Sequence, residues 1–370
     1  MENKILKGLS VYENIVNKKY LSLLSALFLV LLLSACSAQK PTDESGTAAD
    51  STAATSQAVS SETQSSEVSE NTSDHYPVTI QTYRHSKEPI ELVFEKMPER
   101  VYAVNPSSVE NMIALGLEDK IVKVSLGSRD RLTDAGKALY DKLGGQKETL
   151  SKEEILNNNI DFIIGWYSTF DDKSLGEVDY WHEKGIKTYI ALNSSIKKPA
   201  PNTLEDEYED IRNLGKIFNV EDRAEALIAE MDKKIASVQE KVKEKGKTRV
   251  IILEVEKENQ LRLYGPETIG GIIAEKVGAD LLTNEQTITA EELINLNPDV
   301  IFSVYFGPDT DLTQESCVQK LMDNPALKSI SAIQNHKVYP ITLSYTYATG
   351  ARTLEAINYI SDILYPELTQ

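Results

Sequence analysis

After Arg100 the chain alternates short, uninterrupted apolar runs with longer polar stretches. RVYAV, IVKVS, DFIIGW and KTYIAL come first; after a gap, TRVIILEV, DVIFSV and KVYPIT follow. Continuous β-branched runs of this length predict strands buried on both faces, and their alternation with helical segments predicts α/β lobes with parallel sheets. Ahead of them, PVTIQTY and IELVF alternate apolar and polar positions as a hairpin does, and Met97-Pro98 closes it. Between the two groups of strands, Glu221 to Gly246 carries Ala226, Ile228, Met231, Ile235, Val238 and Val242 at helical spacing. Acidic residues open this stretch, lysines crowd its end, and Gly246 stands as a stop. The pattern predicts one helix of about 25 residues, about 37 Å long, acting as a strut between two lobes.

The two groups repeat one design. Ser151-Lys-Glu153-Glu154-Ile155 leads to Asp161-Phe-Ile-Ile, and Thr289-Ala-Glu291-Glu292-Leu293 leads to Asp299-Val-Ile-Phe, every equivalent position offset by 138 residues. In each copy a Ser or Thr stands three residues before a glutamate, the signature of a capping box. A short helix then leads into a buried strand.

The N-terminus carries a different pattern. Lys18 and Lys19 precede the uncharged run Leu21 to Ala35, whose helical length of about 22 Å falls short of the hydrocarbon core of a bilayer. A charged flank, a short apolar region and small residues at its end predict a secretory signal. Its ending, Leu33-Ser34-Ala35-Cys36, resembles the lipobox of bacterial lipoproteins and implies that Cys36 is lipidated and becomes the first mature residue. Two acyl chains suffice for a stable anchor without a membrane span. From Pro41 to Asp74 there are 15 Ser or Thr, seven acidic residues and no basic or aromatic one, which predicts a disordered tether. The chain thus divides into a signal peptide (1–35), a lipidated cysteine and tether (36–75), a first lobe (76–205), a helical linker containing the strut (206–247) and a second lobe (248–370).

Composition narrows the function classes. The chain has 57 Asp and Glu against 39 Lys and Arg, a net charge of -18, which repels nucleic acid. With Cys36 accounted for, Cys317 is left as a small buried hydrophobe. Only four His are present, too few for a receptor of bare zinc or manganese: His75 and His85 precede the first lobe, and His182 and His336 fall in surface contexts. GxxxxGK[ST], GxGxxG, GxSxG and HExxH are all missing from the sequence, so an enzyme, like a surface adhesin, is a rival reading without a motif.

RVYAVNPSSVENMIALGLEDKIVKVS, EEILNNNIDFIIGW with GIKTY, EELINLNPDVIF, and ALKSISAIQNHKVYPIT…GARTLEAINYISDILYP together resemble the helical-backbone class of ABC importer binding proteins, which serves ferric siderophores, cobalamin and haem. The resemblance covers roughly Arg100 to Pro366, with Ile160 where proline is usual. It implies the class III periplasmic-binding-protein fold: two Rossmann-like lobes with parallel sheets, bridged by one long α-helix. It further implies capture without chemistry, delivery to the permease subunits and ATPase of an ABC importer, no resident cofactor, and iron only as part of a bound ferric chelate. The expected state is a monomer on the outer face of the cell membrane of a single-membrane, Gram-positive bacterium. Glu153 and Glu291, by position in the repeated motif, are the implied permease-docking residues, while Glu154 and Glu292 serve the capping boxes.

In this architecture a ligand lies between the lobes, at loops following the carboxyl ends of the strands. Those loops hold Ser107, Arg129, Trp166 and Tyr167 in the first lobe, and Tyr264, Tyr305, Tyr345, Tyr347 and Arg352 in the second. Ser107 or Ser108 is also placed to cap the next helix. Aromatic rings and arginine forks suit a large, flat, partly anionic ligand such as a ferric siderophore. Haem, with Tyr345 or Tyr347 as axial ligand, and cobalamin stay open as alternatives.

Overall fold

The apolar runs sort by parity. Val101 and Ala103 enter one core cluster while Tyr102 and Val104 enter another, and Phe162 and Ile164 part from Ile163 in the same way. In the second group Val250 and Ile252 part from Ile251 and Leu253, and Val300, Phe302 and Val304 from Ile301. Side chains of a strand alternate between faces, so a run apolar at every position is a strand covered on both sides.

The computed structural model describes residues 75–194, 202–243, 245–256, 260–307 and 312–366. The signal peptide, Cys36 and the tether up to Asp74 lie outside the described residues. No helix among the described residues is long and apolar enough to cross a membrane. An antiparallel hairpin, β1 (Val78–Tyr83) and β2 (Pro89–Phe94), opens the fold with Val78 opposite Phe94. The first lobe follows as β3 (Val101–Val104), α1 (Pro106–Ala114), β4 (Ile121–Ser125), α2 (Asp134–Lys142), α3 (Lys152–Asn157), β5 (Phe162–Gly165), α4 (Val178–Glu183) and β6 (Lys187–Ile190). Its four strands are all parallel, in the order β4-β3-β5-β6.

Two helices lead across. α5 (Leu204–Phe218) packs on the first-lobe side, against β1, α1 and the 3₁₀ turn Leu192–Ser194, and α6 (Glu221–Val242) is the strut. The strut has 22 residues, about 33 Å, rather than 25. Beyond Val242 both Lys245 and Gly246 turn their amides back to the Val242 carbonyl, and Gly246 adopts φ 79°. Its buried stripe is Ala224, Ile228, Met231, Ile235, Val238 and Val242; Ala226 is exposed, because only a residue three or four positions from Ile228 shares its face.

The second lobe runs β7 (Thr248–Val255), β8 (Leu261–Leu263), α7 (Ile269–Lys276), β9 (Ala279–Leu281), β10 (Thr287–Ile288), α8 (Ala290–Leu296), β11 (Val300–Tyr305), α9 (Gln314–Met322), α10 (Ser331–Gln334), β12 (Val338–Thr342) and α11 (Thr353–Leu364). Its sheet departs from the expected all-parallel form. β7, β9, β11 and β12 are parallel, but β8 and β10 add an antiparallel edge in the order β10-β8-β7-β11-β12. LRL is three residues long, too short to announce itself, and tertiary pairing along β7 makes it a strand.

The repeat is real in space. Ser151 and Thr289 both form capping boxes, with Glu154 and Glu292 as reciprocal partners, and β5 and β11 both lie inside their sheets. It also extends further than the sequence motif. Arg100 donates to the carbonyl of Asn158 at 2.9 Å and Arg249 to that of Leu296 at 2.6 Å, two helix ends again offset by 138. Ser151→Ala or Thr289→Ala is expected to destabilise the fold by about 1 kcal/mol each, measurable as a lower denaturation midpoint with an unchanged slope.

One core cluster holds Val101 and Phe162 of the first lobe, Ile211 and Met231 of the bridge, and Phe302 and Ile341 of the second. Both lobes thus belong to one compact unit, Asn71–Gln370, which brings the strand-end loops of the two lobes face to face.

Candidate functional site

The loop after β3 begins with a strained residue. Asn105 has φ 79° and ψ 156°, a region almost reserved for glycine that costs about 1–3 kcal/mol. Its side chain compensates by accepting hydrogen bonds from the Trp166 amide and the Thr169 hydroxyl, each at 2.9 Å. Asn105 is also the N-cap of α1, with Pro106 in the first turn and no side-chain capping bond. Ser107 and Ser108 therefore do not cap. Ser107 accepts instead from the Trp166 indole N–H at 2.7 Å, and the Ser108 hydroxyl is buried without a partner. These contacts fix the Trp166 ring.

Across the seam the ring meets the second lobe. Trp166 and Tyr347 stand edge to face, with centroids 5.1 Å apart, and the Tyr347 hydroxyl donates to the Ser194 carbonyl. Tyr167 faces away from this pair and stacks on His85 of the β1–β2 turn at 4.1 Å.

The arginines sort differently from expectation. Arg129 and Arg131 share a 3₁₀ turn, and two positions along such a turn are rotated by about 240°. Arg129 accordingly lies on the surface, paired with Asp141 at 2.5 Å. Arg131 points into the seam, where its Nε donates to the Phe306 carbonyl at 2.8 Å and its guanidinium lies 5.3 Å from the Phe306 ring. Among the described residues no carboxylate lies within ion-pair distance of Arg131, and burial works against its charge. Arg352 is only 8% exposed, yet it is already satisfied. It bonds Glu355 at 2.7 Å, the Tyr345 hydroxyl at 3.2 Å and the Arg131 carbonyl at 2.5 Å. Arg352 thus faces Tyr345 and Arg131 as a clamp, while the partner of Trp166 is Tyr347. Glu110 on α1 sets the height of the Arg131 loop, accepting from the Thr133 amide at 2.7 Å and hydroxyl at 2.9 Å.

The remaining tyrosines are committed. Tyr264 is 2% exposed and donates to Glu254 at 2.9 Å, so it belongs to the core rather than to a ligand wall. Tyr305 pairs with Thr342. Tyr345 donates to Glu355 at 2.9 Å, and burial pushes its phenol up to about 12 even though Arg352 pulls the other way. His182 is half-buried rather than superficial and bonds Thr188 at 2.9 Å. Cys317 packs as a small apolar group, its thiol against the Ser303 carbonyl. Among the described residues no cluster of His, Cys, Asp and Glu is placed to hold a metal.

The strand-end loops read from the sequence contain Asn105, Arg131 and Phe306 without singling them out, and Ser194 falls outside those loops. The Arg129-Asp130-Arg131 triplet was the available signal, but only the turn geometry tells which arginine faces inward. Glu153 and Glu291 occupy the second positions of α3 and α8, both exposed, while their neighbours Glu154 and Glu292 are held in the capping boxes.

The two-lobed fold has relatives. A protein of Bacillus subtilis described as the uncharacterized ABC transporter substrate-binding lipoprotein YvrC is 23% identical over 305 residues, 81% of this chain and 89% of that protein. The iron-uptake system-binding protein of the same organism is 23% identical over 241 residues, 63% of this chain and 71% of that protein. A crystal structure of a periplasmic binding protein from Veillonella parvula aligns with a TM-score of 0.71 and 31% identity, covering 80% of this chain and 93% of that one. Residues 101–344, spanning both lobes, match the periplasmic binding protein family, and the chain belongs to that family.

Proposed function

We propose that the chain is the extracytoplasmic, lipid-anchored binding component of an ABC importer, and that its cleft captures an anionic ferric chelate of the siderophore type. The observation that carries this reading is Arg131. A half-buried guanidinium with no carboxylate in ion-pair distance among the described residues is costly to keep, and a ligand that brings negative charge offsets that cost when it binds. Trp166 and Tyr347 beside it offer ring edges and faces to a flat ligand. The relative named for an iron-uptake system supports iron as the cargo. The relative named as a substrate-binding lipoprotein supports the importer and a lipid anchor at Cys36.

The haem alternative is disfavoured by the tyrosines. An axial phenolate needs a low pKa, yet burial raises both Tyr345 and Tyr347, and both hydroxyls are already donated inside the protein. Cobalamin has no evident use for the Arg131 charge. Glu153 and Glu291 serve as docking carboxylates, because a free carboxylate pairs with an arginine fork in fixed geometry.

Titrating the folded unit with ferric catecholate, ferric hydroxamate, haem and cobalamin, read by Trp166 emission and visible absorption, tests this function. A saturable response to a ferric chelate is the expected result. Binding of haem or cobalamin alone would move the assignment to that ligand, and silence toward all four would sink the importer reading.

A further inference from the structure

The last helix of the chain has no cap of its own. The 3₁₀ turn Gly350–Arg352 runs into α11, and neither Thr349 nor Arg352 makes a side-chain capping bond to them. A helix start leaves amides in need of acceptors, and here the acceptors come from the opposite side of the seam. Glu207 on α5 accepts from the amides of Gly350 and Thr349. Asn111 on α1 accepts from the amide of Ala351 at 2.6 Å. Both side chains are buried, Glu207 at 1% and Asn111 at 4% exposure. The second oxygen of Glu207 takes the Asn193 amide group at 2.9 Å, and that group also holds the Thr203 carbonyl at 2.8 Å. The carboxylate is thereby tied to the first-lobe turn that carries Ser194. On the other side, Gly350 sits at φ 52°, and a Cβ there would lie 2.1 Å from the Asn111 oxygen. The join admits no side chain.

We propose that Glu207 and Asn111 form a cap across the lobes that positions the cleft wall, and that the lobes pivot on it. Ser344, Tyr347 and Arg352 reach the first lobe from the same short segment, through the carbonyls of Arg131 and Ser194. Of the three, Tyr347 is only partly buried and can exchange its contact with a ligand or with water, whereas Ser344 and Arg352 are buried. The capped amides and the buried carboxylate cannot part without leaving several polar groups unpaired in the interior. Movement therefore concentrates at the cleft mouth, where Trp166 meets Tyr347, while the capped end stays in place. The carboxylate also complements the positive end of α11.

The geometric claim stands apart from the ligand assignment, and its test needs no ligand. In the full chain, Glu207→Gln and Asn111→Ala are compared with the unaltered protein by hydrogen exchange and by acrylamide quenching of Trp166. Exchange in the segment 343–353 is expected to quicken by about tenfold or more, as the loss of a buried hydrogen-bond acceptor implies. Trp166 is expected to become more accessible, with exchange in β3 and β11 unchanged. Gly350→Ala disrupts the same join from the loop side and is expected to give the same local pattern. Unchanged exchange in 343–353, or equal acceleration across both sheets, would overturn the proposal. In chelate-binding protein the two disruptive variants are further expected to raise the dissociation rate. Should no chelate bind the unaltered chain, the ligand assignment fails and the exchange result still decides the cap.

Discussion

Arg131→Met is expected to weaken capture of an anionic ferric chelate by about 2–5 kcal/mol, a factor of about 30 or more in Kd, while leaving the fold as stable as before or more so. The two halves of this expectation share a cause. Without ligand the half-buried Arg131 guanidinium is partly withdrawn from water, hydrogen-bonded to the Phe306 carbonyl and beside the Phe306 ring. Replacing such a charge by an apolar side chain of similar length removes a desolvation penalty. In the loaded protein the same charge is the counter-ion of the ligand, and removing it strands the ligand's negative oxygens. Arg129→Ala serves as the control. Its guanidinium is at the surface and paired with Asp141, an arrangement that solvent and salt screen, and its loss is expected to leave affinity unchanged. Isothermal titration beside thermal unfolding separates the two readouts. Undiminished affinity in Arg131→Met would remove the anion anchor from the site.

Reversing both exposed glutamates, Glu153→Arg with Glu291→Arg, is expected to abolish uptake by cells and to leave chelate affinity unaltered, with only the slight loss of stability that basic residues in a first helical turn bring. Neither carboxylate has a role in its own capping box, since Glu154 and Glu292 fill those positions. Two carboxylates presented at equivalent points of a duplicated structure suit two arginine-bearing partners, and like charges brought together there oppose association. Single reversals are expected to reduce uptake partially. Glu154→Ala and Glu292→Ala, in contrast, are expected to loosen their short helices and spare uptake. Full transport by the double variant would show that these residues are first-turn acids and nothing more.

Much of the architecture was legible along the chain because it follows from local periodicity. Seven apolar runs became β3 to β7, β11 and β12 with breaks for β8 to β10, and a strand covered on both faces must be apolar at every position. The capping boxes were legible for a similar reason, as both partners lie within four residues. The antiparallel edge escaped notice, since LRL and the two residues of β10 are strands only through the partner they pair with. The strut's register slipped at Ala226, although counting back four residues from Ile228 selects Ala224 instead.

The site was less legible than the fold. The candidate loops follow from the rule that ligands gather at strand ends, but within each loop residue type did not decide direction. Arg129 and Arg131 differ by two positions, and a single 3₁₀ turn sends one to solvent and the other to the seam. Tyr264 and Tyr347 follow strands of the same sheet, yet one is sealed against Glu254 and the other reaches across to Ser194.

From its sequence alone this protein is committed to two duplicated α/β lobes, a helical strut and an acidic outer surface, because periodicity, capping chemistry and net charge act over a few residues or over none. The pairing of Trp166 with Tyr347, the seating of Arg131 on Phe306 and the capping of α11 by Glu207 and Asn111 were decided only by the tertiary structure. Each depends on the distance between groups more than a hundred residues apart, and such distances exist only once both lobes have folded against the strut.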